Sequence, residues 1–426
     1  MILQHGLHLA YCTNVHRGET WAETFDSLAT HTLRVKECVA PKTRYAIGLR
    51  LSDVASCDLA DPKTLLAFQR WLDQQDCYVF TINGFPYGQF HGTRVKENVY
   101  LPDWTDPRRL DYTTRLFDLL AQLVPADVEG SVSTLPGSFK DFITSPGQER
   151  AIRDNVWRCV EHIAKLSERT GRNFHLGLEP EPFGYFENSA ETVKFFNQLR
   201  DEHPRDPRLN AHLGVNYDTC HFAIEFEEAA DALKTFQQHD IRLSKIHLSN
   251  ALKLQPTPAA LQRLAAFADD VYLHQVIVRH APEERGLQPA STSDGFNHHD
   301  LFEDHPASHT LKRRERRAPD ALTKFRDLAP ALSSALAITP AAGDEWRVHF
   351  HVPLQMQPTP ELDTTADHVL GLLKVLQAQP QLCSHLEMET YTWAVLPEPL
   401  RSRDVTDQIV AEYDWTLRQL AAHGLC

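Results

Sequence analysis

Short apolar segments alternate with longer amphipathic segments along most of this chain, and this alternation limits the possible fold more than any other feature. We predict strands at 8–14, 45–52, 77–85, 129–136, 174–182, 212–221, 243–251, 346–354 and 385–393. Apolar residues at helical spacing predict helices at 64–75, 110–124, 149–170 and 189–202. Such alternation indicates parallel strands that are joined by crossover helices.

Two architectures fit this pattern, a TIM-type (β/α)8 barrel and a doubly wound open sheet. We favour the barrel because polar residues suited to ligand binding follow many different strands, whereas an open sheet collects them at one switch point. Nine candidate strands exceed the eight of a barrel, so we expect one of the first four to lie outside it or to be misassigned. The chain is then a single barrel domain over residues 1–426.

One segment, 283–344, interrupts the alternation with a histidine-rich stretch, a basic cluster at 312–317 and an Ala/Pro-rich run. We predict an insertion or long loop before the strand at 346–354, partly helical around 320–337. The basic cluster is either a solvated face or a contact for an anion or partner. We expect a polar loop rather than a metal site from its histidines, which are His298, His299, His305 and His309.

The charge and cysteine content of the 426-residue chain exclude several classes of protein. Asp and Glu number 57 against 43 Lys and Arg, and the net charge of −14 disfavours nonspecific binding to nucleic acid or to anionic membranes. Eight cysteines without a CxxC pair indicate free thiols in a reducing compartment. The N-terminus lacks the features of a signal peptide, and no apolar run is long enough to span a bilayer. We therefore expect a cytoplasmic protein.

Carboxylates and imidazoles occur near the ends of five successive predicted strands, starting with the strand at 174–182. In chain order they are Glu179 with Glu181, Asp218 with His221, His247, His349 with His351, and Glu387 with Glu389. Burying a carboxylate is costly unless it is paired or bound to a metal ion. Converging carboxylates also repel each other, and a cation removes that repulsion. Mixed oxygen and imidazole ligands suit Mn²⁺, Co²⁺, Zn²⁺ or Mg²⁺, so the pattern predicts a divalent metal site.

Each of these residues also has a simpler explanation when it is taken alone. Asp218 could cap the next helix, within 225–236, and a single histidine at a strand end is commonly a hydrogen-bonded rim residue. His349 and His351 could contact the insertion instead of a metal ion. The combination of all five strand ends is what favours the metal site.

Several motifs resemble those of known proteins. LEP at 178–180, DTCH at 218–221, IHLSN at 246–250 and LEMET at 386–390 resemble the xylose isomerase-like TIM barrels. That superfamily includes sugar isomerases, sugar 3-epimerases, hydroxypyruvate isomerases and endonuclease IV. Longer runs, among them HLAYCTNVHRGETW, INGFPYGQFHG, VHFHVPL and HLEMETYTWAVLP, are similar to the EboE branch of metabolite traffic proteins. The resemblance covers nearly the whole chain and departs at 283–344.

The resemblance implies roles for the strand-end residues. In the isomerases and epimerases of the superfamily a Glu, an Asp, a His and a final Glu hold the metal ion, which correspond to Glu179, Asp218, His247 and Glu389. Glu387 competes with Glu389 for the last position. The two glutamates of such a site also act as the acid/base pair in the epimerases, so Glu179 and Glu389 are the predicted catalytic residues.

The resemblance leaves the number of metal ions open. His221 of the D-x-x-H motif is expected to contact substrate or metal. The His-x-His pair, His349 and His351, resembles the multi-metal phosphoesterase branch, so these two histidines are further candidate ligands. Candidate substrate contacts from the loops and strand ends are Asn83, His91, Lys96, Glu181 and Trp393, although Trp393 could equally pack against a neighbouring helix.

Three functions are consistent with these observations. The first is a metal-dependent isomerase or epimerase of a sugar or cyclitol-like polyol, in which one carboxylate removes a proton beside a carbonyl and a second returns it. The second is a metabolite-binding protein without catalysis, as the traffic name implies. The third is a phosphoesterase of the endonuclease IV kind, although the acidic charge counts against DNA. The first differs from the second in requiring Glu179 and the last-strand glutamate to face an open pocket.

Overall fold

A computed structural model of the chain describes residues 1–281, 322–398, 401 and 403–426. The strands are β1 (His8–Tyr11), β2 (Tyr45–Arg50), β3 (Cys77–Asn83), β4 (Gly130–Thr134), β5 (Phe174–Leu178), β6 (Leu213–Asp218), β7 (Arg242–Leu248), β8 (Asn250–Leu254), β9 (Val276–Arg279), β10 (Leu322–Phe325), β11 (Glu345–Val352), β12 (Asp363–Thr364) and β13 (His385–Met388). The helices are α1 (Trp21–Ser27), α2 (Leu33–Val39), α3 (Asp53–Leu59), α4 (Pro62–Gln74), α5 (Pro107–Leu123), α6 (Pro146–Thr170), α7 (Ser189–Glu202), α8 (Arg208–His212), α9 (Thr219–Ile224), α10 (Ala229–Gln238), α11 (Pro258–Leu264), α12 (Leu328–Ala337), α13 (Ala366–Ala378) and α14 (Val405–Ala422).

Eight parallel strands form the barrel, in the order β1-β13-β7-β6-β5-β4-β3-β2. A parallel bridge between Cys12, just after β1, and Gly48 of β2 connects the two ends of this sheet. The barrel strands are buried along nearly their whole length, as expected when helices cover a parallel sheet from outside. The predicted TIM-type barrel is confirmed by this strand order.

A second, antiparallel sheet has the order β10-β9-β11-β8-β12. The chain enters it directly from the barrel, because Ser249 alone separates β7 from β8. The prediction that one of the first four strand candidates lies outside the barrel was wrong, since all four are barrel strands. The candidate at 346–354 is the one outside, because it contains most of β11, which pairs with β8 and β9. Periodicity identifies a strand but not its partners.

The predicted insertion is described only in part. The basic cluster at 312–317 and the four histidines between 298 and 309 lie outside the described residues. Residues 322–344 contain β10 and α12, and β10 pairs with β9 at one edge of the second sheet. Lys324 of β10 reaches Glu187 and Glu225, at 2.6 and 2.8 Å, in the loops after barrel strands. These ion pairs hold that edge of the sheet against the barrel.

Local sequence signals account for several helix ends. Thr20 and Glu23 form a reciprocal capping box at the start of α1. Asp61 accepts hydrogen bonds from the first turn of α4, which has Pro62 at its first position. Gly171 ends α6 with a φ of 66°, a left-handed conformation that glycine adopts easily. Among the described residues no helix has both the length and the hydropathy of a membrane span.

Three buried histidines, His8, His175 and His385, lie at or next to the N-terminal ends of barrel strands. Each Nδ1 is within 2.8 Å of a hydroxyl oxygen, which belongs to Tyr78, Ser244 and Ser131 respectively. Burial lowers the pKa of both His8 and His175 to about 4 and that of His385 well below the ordinary value. All three are therefore neutral in the folded barrel near neutral pH.

We predict that the free energy of unfolding decreases as the pH falls from about 6.5, the ordinary histidine pKa, to about 4. In that window the unfolded chain binds protons that the folded barrel excludes, so this stability is fully present only above the window. Urea unfolding at pH 7.5, 6 and 5 measures the slope. His175→Asn should lower the slope of unfolding free energy against pH by up to about 1.4 kcal/mol per pH unit.

The exposed His239 provides a matched control for the pH experiment, because His239→Asn should leave the slope unchanged. Comparing variants is necessary because His247, whose pKa is raised, contributes with the opposite sign. An unchanged slope in His175→Asn would show that this buried imidazole does not control the acid sensitivity.

Candidate metal centre

Four side chains from four neighbouring barrel strands converge at the C-terminal end of the barrel. Glu179 follows β5, Asp218 ends β6, His247 lies near the end of β7 and Glu389 follows β13. All four are buried, and one possible ligand atom from each lies within 4.8 Å of the others. Because β5, β6, β7 and β13 are adjacent and parallel, their ends place these residues side by side. We call this set the carboxylate cluster.

His247 stands at the middle of the carboxylate cluster. Its Nδ1 lies 3.1 Å from an oxygen of Glu179, 3.0 Å from one of Glu389 and 3.6 Å from one of Asp218. The amide nitrogen of Asn216 is a further neighbour, at 3.2 Å. The opposite ring nitrogen, Nε2, faces away toward Glu387. The imidazole therefore presents a single nitrogen, Nδ1, to the three carboxylates.

Asp218 divides its two oxygens between two tasks. Oδ1 caps α9 by accepting from the backbone N–H of Cys220 at 2.7 Å, and it also accepts from the Ser249 hydroxyl at 2.6 Å. Oδ2 is buried without a hydrogen-bond partner among the described residues. Helix capping and membership of the cluster are thus compatible, although the capped helix is α9 and not the segment 225–236.

The two glutamates of the last strand lie in different places. Oε1 of Glu389 accepts from the side-chain amides of Asn14, at 2.7 Å, and Asn83, at 3.0 Å, which leaves Oε2 beside His247. Glu387 lies behind the imidazole, where its Oε2 is 2.9 Å from Nε2 of His247 and 2.6 Å from Nζ of Lys245. Glu389, not Glu387, therefore belongs to the carboxylate cluster.

The charges of the cluster are unbalanced without a cation. Burial opposes protonation of His247, but Glu389 and Glu179 raise its pKa well above the ordinary value. Burial also opposes ionisation of Asp218, yet His221 and His351 hold its pKa well below the usual range. An oxygen of Glu179 and one of Asp218 remain buried and without a hydrogen-bond partner in the described chain. Three carboxylates and one imidazole of this kind fit a divalent cation.

A second group of side chains, which we call the histidine cluster, consists of His221, His349 and His351. Nε2 of His221 lies 3.0 Å from Nε2 of His349 and 3.4 Å from Nε2 of His351. Each Nδ1 faces a carbonyl oxygen, at 3.2, 2.6 and 2.9 Å, which belongs to Pro180, the Gln275 side chain and Glu389 respectively. Each of the three rings therefore directs its Nε2 toward the centre of the cluster.

The protonation of the histidine cluster follows from these contacts. A carbonyl oxygen can only accept, so the hydrogen of each neutral ring lies on Nδ1 and the lone pair on Nε2. Burial lowers the pKa of His221, and burial together with the other two rings lowers that of His349 further. Lone pairs that face each other at 3.0 Å repel unless a proton or a metal ion is shared between them. Ligand atoms of Glu181 and Cys220 lie within 4.8 Å of members of this cluster, so it also fits a metal ion.

A cavity opens at the same end of the barrel. Glu179 and Glu389 line it, whereas Asp218 and His247 do not. It is also lined by Asn14, Asn83, Phe85, Pro86, Phe90, Val95, Lys96, Val99, Tyr100, Glu181, His221, Tyr272, Leu273, Gln275, His349, His351 and Tyr391. The cavity thus joins part of the carboxylate cluster to the histidine cluster and to an aromatic wall.

The structure brings only some of the predicted substrate contacts to the cavity. Asn83 and Glu181 line it, and so does Lys96, although Nζ of Lys96 is 2.8 Å from Asp327. His91 lies beside a neighbouring cavity, with its ring nitrogens bonded to the Tyr272 hydroxyl and the Asn14 carbonyl. Trp393 is buried in the apolar core of the second sheet and does not line the cavity.

Sequence reasoning missed several residues of the site. Asn14 and Tyr391 belonged to predicted strands but were not singled out, although Tyr391 follows Glu389 by two positions, as residues on one strand face do. Lys245 precedes His247 by the same spacing. Gln275 and Tyr272 precede β9, which was not predicted as a strand, so no local signal pointed to them.

Comparisons with known proteins add little beyond the barrel. The sequence matches no protein-family model and no curated protein. It is similar in structure to an L-ribulose 3-epimerase, with 13% identity, coverage of 58% of this chain and 70% of that chain, and a TM-score of 0.38. It is also similar to the probable 3-DHS dehydratase AsbF from Bacillus anthracis, with 12% identity, coverage of 60% of this chain and 79% of that chain, and a TM-score of 0.35. A third similar structure is an AP endonuclease, family 2, from Brucella melitensis, with 12% identity, coverage of 57% of this chain and 79% of that chain, and a TM-score of 0.34.

Other similar structures are xylose isomerase domain proteins. At these identities and TM-scores the similarities carry no argument about activity. The resemblance to EboE proteins is tested by none of them and stays a prediction.

We predict that the purified protein carries about one tightly bound divalent ion per chain, held by the carboxylate cluster. Asp218→Ala and His247→Ala should each remove most of it, because each deletes one of about four ligands. Elemental analysis after dialysis measures the content, and circular dichroism checks that the variants are folded. The exposed Asp270 supplies the control Asp270→Ala, which should retain the ion. Full occupancy in both cluster variants would contradict the site.

Proposed function

We propose that this protein is a divalent-metal-dependent isomerase or epimerase that acts on a sugar or cyclitol-like polyol. The observation that carries the proposal is the division within the carboxylate cluster. Glu179 and Glu389 line the cavity, whereas Asp218 and His247 do not. The members of the carboxylate cluster that a substrate can contact are therefore its two glutamates, and their carboxylates are capable of moving a proton.

The chemistry follows from the positions of these two carboxylates. A bound divalent cation would supply Lewis acidity to a substrate carbonyl and so acidify the adjacent C–H. Oε2 of Glu179, which has no hydrogen-bond partner among the described residues, accepts that proton while the electron pair stays with the substrate. Glu389, starting as the carboxylic acid, gives its proton to the carbanion and becomes a carboxylate, and proton exchange with solvent then restores both glutamates. Asn14 and Asn83 hold the other oxygen of Glu389, which orients the carboxyl group.

The walls of the cavity favour an uncharged substrate. Phe85, Phe90, Tyr100, Tyr272 and Tyr391 provide apolar surface for the C–H faces of a ring. Among the described residues that line the cavity, Lys96 is the only lysine or arginine, and Asp327 already pairs with it. No free basic side chain of the described wall is thus available for a phosphate. This supports a neutral polyol ketone over a phosphorylated sugar.

Two other functions have some support. The three convergent imidazoles favour a metal phosphoesterase, since two metal ions about 3.5–4 Å apart are typical of such enzymes. The lack of a free basic side chain in the described wall and the net charge of −14 count against it. The metabolite traffic role implied by the EboE resemblance requires only binding in the same cavity, without proton transfer. We place the isomerase first because of Glu179 and Glu389.

The histidine cluster leads to a second metal prediction. Titration with Zn²⁺ should reveal a second equivalent, weaker than the first, which His351→Asn removes while the first remains. The reason is that loss of one of three imidazoles leaves too few ligands for tight binding. Isothermal titration measures the stoichiometry, with His239→Asn on the exposed surface as control. Two equivalents in His351→Asn would exclude the cluster as the second site.

We predict that Glu179→Gln and Glu389→Gln each slow proton transfer by a factor on the order of 100 or more. Glutamine keeps the length and one oxygen of glutamate, so part of the metal binding survives, but it no longer accepts or gives the proton. The measurement is deuterium uptake from D₂O at the carbon beside the carbonyl of candidate ketoses and cyclitol ketones, with metal content determined in parallel.

The exposed Glu37 provides the control Glu37→Gln for the exchange experiment, because it undergoes the same chemical change and does not line the cavity. At saturating metal concentration it should exchange at close to the wild-type rate. Exchange at the wild-type rate in the Glu179 and Glu389 variants would reject the acid/base assignment. Wild-type protein that binds such ketones without any exchange would favour the metabolite-binding alternative.

A further inference from the structure

A buried ion pair lies directly behind the imidazole of the carboxylate cluster. Lys245 and Glu387 are fully buried and 2.6 Å apart. The same oxygen of Glu387 lies 2.9 Å from Nε2 of His247. The strands β7 and β13 place Glu387 and His247 directly opposite each other. Neither Lys245 nor Glu387 lines the cavity, so a substrate there does not contact them.

The ion pair determines which nitrogen of His247 carries hydrogen. Nζ of Lys245 can only donate, so Oε2 of Glu387, 2.6 Å away, accepts a hydrogen bond from it, and the same oxygen lies 2.9 Å from Nε2 of His247. Nε2 of His247 must therefore be the donor. With that hydrogen fixed, the lone pair available to a cation lies on Nδ1, which faces Glu179, Glu389 and Asp218.

The barrel also makes specific room for the carboxyl group of Glu387. A Cβ atom at Gly48 would lie 1.9 Å from Oε1 of Glu387 and 2.7 Å from the carbonyl oxygen of Tyr11. Any other residue at this position of β2 would thus displace the carboxyl group that contacts His247. The arrangement depends on three barrel strands, β2, β7 and β13.

Neutralising a buried lysine does not by itself require this arrangement. A glutamate paired with Lys245 could lie anywhere within reach of Nζ, whereas this one shares a single oxygen between Nζ and the ring nitrogen. Lys245 also balances the charge of Glu387, so that Glu387 does not add a fourth uncompensated carboxylate beside the cluster.

We propose that Lys245 and Glu387 are positioning residues that hold His247 in its Nε2–H form and thereby set the metal affinity of the carboxylate cluster through Nδ1. The inference rests on the metal site of the proposed function, but not on the reaction. Groups that hydrogen-bond to a metal-ligating histidine in this way commonly change metal affinity 10–100-fold when they are removed.

The test uses two double variants that differ in one property. Lys245→Met/Glu387→Gln removes both charges but keeps an amide oxygen that can accept from Nε2. Lys245→Met/Glu387→Leu removes the charges and the acceptor together. Both avoid leaving a single buried charge, which would endanger folding. Both are made in full-length protein that also carries His351→Asn, so that only the carboxylate cluster is titrated.

The probe is Zn²⁺ alone, with affinity measured by competition against a chelator of known strength. We expect the leucine variant to bind 10–100-fold more weakly than the parent, and the glutamine variant to recover most of that loss. Nitrogen-15 NMR of the Zn²⁺-loaded parent and glutamine variant should show His247 coordinated through Nδ1, with a protected hydrogen on Nε2. The leucine variant should lose that protection.

Equal affinity in all three proteins would overturn the proposal, and so would an equal loss in both double variants, which would indicate a role in charge or packing only. Coordination of the parent through Nε2 would also overturn it. These outcomes are independent of the reaction, because the affinity pattern can appear in a protein that exchanges no deuterium. In that case the isomerase proposal fails while the positioning role stands.

Discussion

Three buried carboxylates around one imidazole nitrogen are the constraint on which the organisation of the barrel mouth depends. Each carboxylate would repel the others without a cation, and hydrogen bonds from the surrounding chain stabilise some of their oxygens individually. One oxygen of Asp218 caps α9, and one oxygen of Glu389 is held by two asparagines. The oxygens that remain face a common point. The fourth carboxylate nearby, Glu387, is neutralised separately by Lys245.

The second sheet completes this site rather than forming a separate unit. Because β8 follows β7 after one residue, the strand that carries His247 also leads into the sheet that contains β11. His349 and His351 of β11 are thereby placed against His221 of the barrel. Lys324 fixes the far edge of the sheet through ion pairs with loops of the barrel. The cavity is consequently bounded by both sheets.

The two clusters differ in how they hold charge before any ion binds. In the carboxylate cluster the acidic neighbours raise the pKa of His247, whereas in the histidine cluster burial lowers the pKa of His221 and His349. The first therefore attracts a cation by its excess negative charge. In the second, burial favours the neutral form of His221 and His349, which is the form that ligates metal ions.

The sequence alone predicted the barrel and three of the four residues of the carboxylate cluster. Parallel barrel strands all end at one face, so ligand-type residues that follow successive strands must meet there, and Glu179, Asp218 and His247 do. The order of these residues along the chain is therefore enough to predict that they lie together. The spacing of Glu387 and Glu389, in contrast, fits either residue to the cluster, since residues two apart share one strand face.

Only the tertiary structure decided which strands pair outside the barrel and which side chains reach the site. It placed the strand at 346–354 in the second sheet, Trp393 in an apolar core and His91 away from the cavity. It also separated Glu389, beside Nδ1 of His247, from Glu387, beside Nε2. Periodicity reports local conformation and burial, because both depend on near neighbours in the chain. Strand pairing and the direction of a side chain within a packed barrel depend on contacts between distant segments, which periodicity does not encode.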